Sequence, residues 1–416
     1  MTRPLLALTL VIPVAGLIHL AAQQAPQEAS REVFRQIDAD TKELTEITGL
    51  PFKKKVPYDL ITREKVNQFL QERLKESVKP EQIHAEELTL KKFGFVPQDF
   101  DLKKSTVDLL TEQAAAFYDF YRKKLFLTNW ASSAMQDSAL IHELAHALAD
   151  QHFRLGKFIQ NAGKSDDSAL ARMAVMEGQA TWLMTEAMAR KNGQSLGATP
   201  ALLDMMSGGT EAGASQFPVF NQVPLYLRET LMFPYTAGAR FQHAVFMKMK
   251  TAAFAELFRH PPETTQQILH PEKYFARDKP STPVLPEMKS ARGYKRIAEG
   301  MMGELDHSIL IRQFGTVEQA KEISPHWRGG TYAILEDKNR RNSILAYAVE
   351  WDDAAIARKY FEFYKSVLGK KWKHIEVLED GERQVSGRGD DGRFTLSLDG
   401  NRVSSLEGMP EPPALR

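Results

Sequence analysis

Residues 139–148 read Ala139-Leu140-Ile141-His142-Glu143-Leu144-Ala145-His146-Ala147-Leu148. Alanine and leucine predominate, so the stretch reads as a helix. Helical residues four apart lie one turn apart on one face, so His142 and His146 can aim their imidazoles at a single ion. Glu143 stands one step round the helix, beside such an ion rather than on it, where a carboxylate can take a proton from water activated there. Leu140, Leu144 and Leu148 fall on another face and are expected in the core. Chance is a poor account of the pattern. With 11 histidines in 416 residues, shuffled chains would contain it in roughly two cases in a hundred.

A zinc that performs hydrolysis keeps three protein ligands and leaves one position for water. Two residues compete for the third place. His152 is one, but the chain would have to turn at Ala149, which is not a glycine. If the helix runs on, His152 sits about 9 Å along the axis from His146 and points elsewhere. The other is Glu177, in Met176-Glu177-Gly178-Gln179-Ala180-Thr181. On a helical wheel Leu170, Met173, Ala174, Ala180, Thr181, Met184 and Met188 surround it, while Arg172, Gln179, Glu186 and Arg190 lie opposite. A carboxylate amid an apolar face is costly unless it is paired or bound to metal. A buried salt bridge would also satisfy it. Ligation is the reading adopted, with His152 as the alternative third ligand and otherwise a structural histidine at the helix end. Gly178 would let another backbone approach closely.

Around these two helices, expected over 137–149 and 168–190, the chain reads as α+β. Residues 31–45 and 62–77 have a charged helical pattern, with a short β-like piece at Lys55-Val56-Pro57-Tyr58 between them. Ala115, Phe117 and Tyr118 face Lys124-Leu125-Phe126-Leu127 across a polar turn, which reads as a β-hairpin. A Gly/Ser-rich loop (193–215) leads to more helix over 241–257. The proline-containing stretch 280–286 reads as a domain boundary. Beyond it, residues 331–335 and 344–349 form a second hairpin, Asp352 or Asp353 caps a helix to Leu368, and 394–406 alternates as strands around Asp399-Gly400-Asn401. The expected product is a ββαββ-like module within 286–416, following a mainly helical unit of 26–285 whose N-terminal part is 26–114 and whose core is 115–285.

Lys+Arg number 54 and Asp+Glu 53, a net charge of +1. That balance argues against nucleic acid as a main partner, because phosphate binding needs a concentrated basic surface. There is no cysteine, which excludes disulfides, thiol nucleophiles and thiolate-ligated zinc. Arg3 is the only charged residue before Glu28, residues 5–22 are almost continuously apolar, and they end on Leu20-Ala21-Ala22-Gln23. This reads as a signal peptide over 1–25, removed on export to the periplasm or the outside. An N-terminal membrane anchor is the alternative reading. No later segment is apolar enough to span a bilayer.

The His-Glu-x-x-His helix followed by Glu177 in Glu-Gly-x-Ala resembles the zincin metallopeptidases of the gluzincin branch, over about residues 118–188. Looser likenesses to secreted bacterial zincin-like proteins lie in 142–153, 233–238 and 269–274. The resemblance implies a mainly helical zincin-like domain with a small sheet, one Zn2+ per chain, and hydrolysis of peptide or protein substrates with Glu143 as general base. It also implies that the hairpin of 118–127 is the substrate-binding edge. The spacing of His146 and Glu177 is longer than in thermolysin-like members. Peptide hydrolysis further needs a donor for the developing oxyanion. Tyr235, Arg240, His243 and His270 are candidates, with Tyr235 and His270 favoured because each stands in a proline-flanked, turn-like setting. Two rival readings stay open: a non-catalytic secreted zinc-binding scaffold, and a zinc amidase acting on cell-wall material.

Overall fold

The protein was analysed as a computed structural model, which describes residues 36–113, 116–129, 133–163, 165–205, 217–288, 291 and 293–411. The expected signal peptide of 1–25 lies outside the described residues. In chain order the elements are α1 (Ile37–Thr48), β1 (Tyr58–Ile61), α2 (Arg63–Ser77), α3 (Pro80–Phe93), α4 (Leu102–Gln113), β2 (Ala116–Asp119), β3 (Lys124–Thr128), α5 (Ser133–Phe153), α6 (Leu155–Gln160), α7 (Asp166–Lys191), α8 (Pro218–Gln222), α9 (Leu225–Met249), α10 (Ala253–Arg259), α11 (Thr265–Leu269) and α12 (Pro271–Ala276). There follow β4 (Tyr294–Gly300), α13 (Glu304–Phe314), α14 (Val317–Ile323), β5 (Trp327–Asp337), β6 (Ser343–Trp351), α15 (Ala354–Lys371), β7 (Ile375–Asp380), β8 (Gln384–Gly389), β9 (Gly392–Asp399) and β10 (Arg402–Met409). The class is α+β, as expected. Among the described residues no helix is long and apolar enough to cross a membrane.

The first sheet has three strands in the order β1-β3-β2. The expected hairpin forms, with Phe117 opposite Phe126 and Tyr118 opposite Leu125. The β-like piece expected at 55–58 is instead a strand over Tyr58–Ile61, parallel to β3. It leaves β2 as a sheet edge, packed along α5. Thr62 caps α2 by accepting from the Lys65 N–H.

The C-terminal sheet is larger than the ββαββ unit read from the sequence. Seven antiparallel strands run β4-β5-β6-β10-β9-β8-β7. The expected unit is present as β5, β6, α15, β9 and β10, and Asp353 caps α15 through the N–H groups of Ala355 and Ile356. Strands β4, β7 and β8 carry too many charges and glycines to show alternation, and β7 is exposed along its whole length. The central strand β6 is a continuous buried run because both of its faces are covered. Tyr360, Tyr364 and Val367 of α15 cover one face, and Leu285 and Met288 pack against Ala333, Leu335 and Ile344 on the other.

Leu285 lies within the proline-containing stretch expected to be a boundary, and Met288 follows it. That stretch follows β5 closely: Ser281 donates its N–H to the Arg328 carbonyl and Thr331 donates its hydroxyl to the Pro283 carbonyl. One apolar core continues from the helical part into the C-terminal part. At the junction Phe93 meets Tyr332 and Tyr347 edge-on, at 5.7 and 5.4 Å between ring centres.

Candidate metal centre

Helix α5 is longer than the 137–149 expected and runs unbroken through Ala149. It is anchored by Leu140, Leu144 and Leu148, all buried as their spacing implies. Helix α7 starts from a Ser165 cap and carries Glu177 near its middle. The two helices bring three donor atoms into a nearly equilateral triangle. His142 Nε2 to Glu177 Oε2, His146 Nε2 to Glu177 Oε2 and His146 Nε2 to His142 Nε2 are each 3.1 Å.

Ligands about 2.0–2.1 Å from a tetrahedral ion stand roughly 3.3–3.4 Å apart, so the triangle suits an ion of zinc's size with little adjustment. Two imidazole nitrogens that face each other at such a distance need a proton or a metal ion between them. The whole group is buried, with His142 and Glu177 only 1% and 2% exposed. Among the described residues these are the His, Asp and Glu side chains gathered closely enough to hold an ion.

The electrostatics fit a cation at this point. Burial works against the charge on Glu177, yet the charge of His146 and hydrogen bonds from both imidazoles hold its carboxyl at about 2. Burial likewise opposes a charge on His146, but Glu177 and Glu143 lift it to about 9. Burial lowers His142. For Glu177 and His146, mutual attraction outweighs burial and holds each toward its charged form.

Glu143 lies one residue round the helix from His142, as expected. Its Oε1 is buried with no hydrogen-bond partner, while the Tyr118 backbone N–H on edge strand β2 donates to the carboxylate. Burial pushes the Glu143 carboxyl up to about 8, with the charge of His146 opposing. A carboxylate with one oxygen tied to a sheet edge and the other uncommitted beside three ligand atoms is placed to move a proton.

Tyr235 joins the group, but not from a turn. It sits inside the 25-residue helix α9, directly after Pro234. Its ring lies 6.0 Å from that of His142, and its hydroxyl hydrogen-bonds to Glu177. Burial, reinforced by Glu177 and Glu143, pushes its phenol well above the usual range. What brings Tyr235 here is a contact of two glycines. A Cβ on Gly178 would lie 2.2 Å from the Gly238 carbonyl carbon, and one on Gly238 would lie 2.3 Å from the Ala174 oxygen. The helix backbones therefore touch, and each glycine sets the residue one position or one turn before it, Glu177 or Tyr235, against its neighbour.

The other candidates lie elsewhere. His152, on the last turn of α5, donates from Nε2 to the Pro51 carbonyl at 2.9 Å. His270 stands between α11 and α12 in the turn expected for it, but its Nε2 is 2.8 Å from Glu304 Oε1, and that hydrogen bond raises its pKa. Arg240 pairs with Asp204 at 3.2 Å, and His243 Nδ1 accepts from Trp182. Asp150 was not singled out from the sequence. It lies one turn beyond His146 and takes hydrogen bonds from Tyr118 Oη, Lys123 Nζ and the Leu155 N–H, binding the hairpin to α5. Its four-residue spacing from His146 was the available signal.

Residues 292–416 match a family described as a domain of unknown function, DUF8575. The matched stretch is the C-terminal sheet and contains none of the donor residues. No curated protein and no solved structure matches the chain.

Proposed function

We propose that this chain is an exported zinc-dependent peptidase of the gluzincin kind, holding one zinc through His142, His146 and Glu177 and cleaving peptide or protein substrates. The observation that carries the reading is Glu143, whose free Oε1 stands beside the donor triangle although neither ligation nor packing requires it. Two histidines and a carboxylate also suit other transition metals. The adjacent base favours zinc and hydrolysis, and the apolar start of the chain favours export. A zinc ion held there would act as a Lewis acid and bring the pKa of water close to neutrality.

Glu143 takes the proton from the attacking water and delivers it to the leaving amine nitrogen, so one carboxyl serves as base and then acid. Tyr118, on edge strand β2, keeps Glu143 turned through its backbone N–H. Tyr235 holds Glu177 in place, and of the four candidate oxyanion donors it is the one beside the donor triangle.

The test is metal analysis combined with chelator-sensitive digestion of an unfolded protein. Glu143→Gln should keep about one zinc per chain and lose hydrolysis by roughly 10²–10⁴-fold. Undiminished hydrolysis by that variant sinks the role of Glu143. A zinc-loaded wild type that digests no peptide supports the scaffold reading, and release of amides from cell-wall material alone supports the amidase reading.

A further inference from the structure

We propose that a cationic groove at the C-terminal end of α9, separate from the metal centre, binds an acidic peptide segment. The groove encloses about 700 Å³, within the range of ligand sites. Arg172 of α7, Lys248 of α9, Tyr274 and Phe275 of α12, and then Arg277 and Lys279 line it. Lys248 lies 13 residues beyond Tyr235 on α9, about 20 Å along the helix.

Acids reach the groove too, and each already has a partner within the protein. Glu256 Oε1 is 2.9 Å from His260 Nδ1, and Glu263 acts on Arg172. Lys248, Arg277 and Lys279 form no ion pair with any described residue. These three cations are unpaired, and with Arg172 the groove holds four basic side chains against two carboxylates, Glu256 and Glu263. Lys248 and the Arg277 backbone are also held in place. Lys248 Nζ sits 3.9 Å over the Phe275 ring, which fixes the ammonium group without neutralising it. Arg277 ends α12 with φ of 54°, a left-handed conformation that non-glycine residues adopt only where their surroundings hold them.

The length of the groove favours a chain over a compact anion. Gly178 touches Gly238, and Trp182 meets His243 and Phe246, so α7 and α9 run in the same direction. Arg172 precedes that contact by six residues and Lys248 follows it by ten, which separates their backbones by about 24 Å along the helices. A compact anion engages one end of this span, whereas roughly seven extended residues, at about 3.3 Å each, cover it. Acidic side chains would meet the unmatched cations, and apolar ones would meet Tyr274 and Phe275.

The test is fluorescence anisotropy with the full chain carrying Glu143→Gln, so that cleavage does not enter. The probe is a labelled seven-residue peptide of alternating Glu and Leu. A Lys/Leu peptide is the control and pyrophosphate the competitor. Saturable binding of the Glu peptide alone is expected, weakened roughly tenfold or more when Lys248, Arg277 and Lys279 are all changed to Glu, and weakened less by Arg277→Gln alone. No saturable binding, binding indifferent to both sets of substitutions, or full displacement by equimolar pyrophosphate overturns the proposal. The last outcome would make the groove a compact-anion site. The result does not depend on whether the metal centre cleaves peptides.

Discussion

Among the described residues, two buried polar clusters built on histidine are put together in opposite ways. In the C-terminal sheet His307 is fully buried. Its Nδ1–H donates to the Gly303 carbonyl at 2.7 Å, so in the neutral ring Nε2 accepts, here from the Tyr347 hydroxyl at 2.5 Å. Tyr347 is in turn 2.9 Å from the Tyr360 hydroxyl. Every nitrogen has its complement, and burial lowers the ring to about 4. At the helix pair α5 and α7, by contrast, three ligand atoms face one another and a carboxylate oxygen has no partner. Burial of a histidine therefore says little about metal. Whether its ring nitrogens are paired off or turned together toward one point says much more.

That contrast can be broken most severely at Glu177. Replacing it with Ala should lower zinc affinity by roughly two orders of magnitude or more, as measured by equilibrium dialysis, while His152→Ala leaves zinc bound. The reverse pattern would move the third ligand to His152.

Gly238→Ala tests the close helix contact. The added methyl meets the Ala174 carbonyl at 2.3 Å, so α7 and α9 must part, at a cost of about 3 kcal/mol in a urea titration. Zinc affinity should fall with it, because Tyr235 withdraws from Glu177.

At the paired cluster the expected effect is about as large and depends on acid. The His307 pKa lies below its ordinary 6.5, at about 4, so the folded state refuses a proton that the unfolded chain accepts. The resulting stability is complete above pH 6.5 and drains away as pH falls toward 4, by about 3 kcal/mol in all. Chains carrying Glu177→Ala should still show this loss, which separates it from release of metal. Tyr347→Phe, which leaves Nε2 without a donor, should cost about 1–3 kcal/mol at pH 7. A variant as stable as the wild type would show that this nitrogen finds another partner.

Much of the candidate metal centre was legible in the sequence because helical spacing is geometry: four residues make a turn, and a lone carboxylate on an apolar face stands out. Gly178 was legible for the same reason. Its counterpart Gly238 was not, since nothing local marks where a distant helix will cross. Tyr235 was misplaced because Pro234 is a helix breaker in most settings. Here the packing of α9 on α7 outweighs the missing hydrogen bond, and the helix runs through. Strands β4, β7 and β8 were hidden because charged and glycine-rich strands carry no apolar alternation. The segment 280–286 reads as a domain boundary from its prolines, and its contacts with β5 are visible only in the fold.

The beginning of helix α7 is held from the C-terminal half of the chain. Tyr332 of β5 donates its hydroxyl to Asp166 at 2.7 Å, and Thr265 donates both its hydroxyl and its N–H to Asp167. A Cβ on Gly303 would lie 1.8 Å from Asp167 Oδ1, so a larger residue there would displace that carboxylate. The candidate ligand Glu177 and the seven-stranded sheet are thus joined through α7. A cation captured at Glu177 would stabilise the folded state by mass action, so ion occupancy would raise the temperature at which the sheet melts.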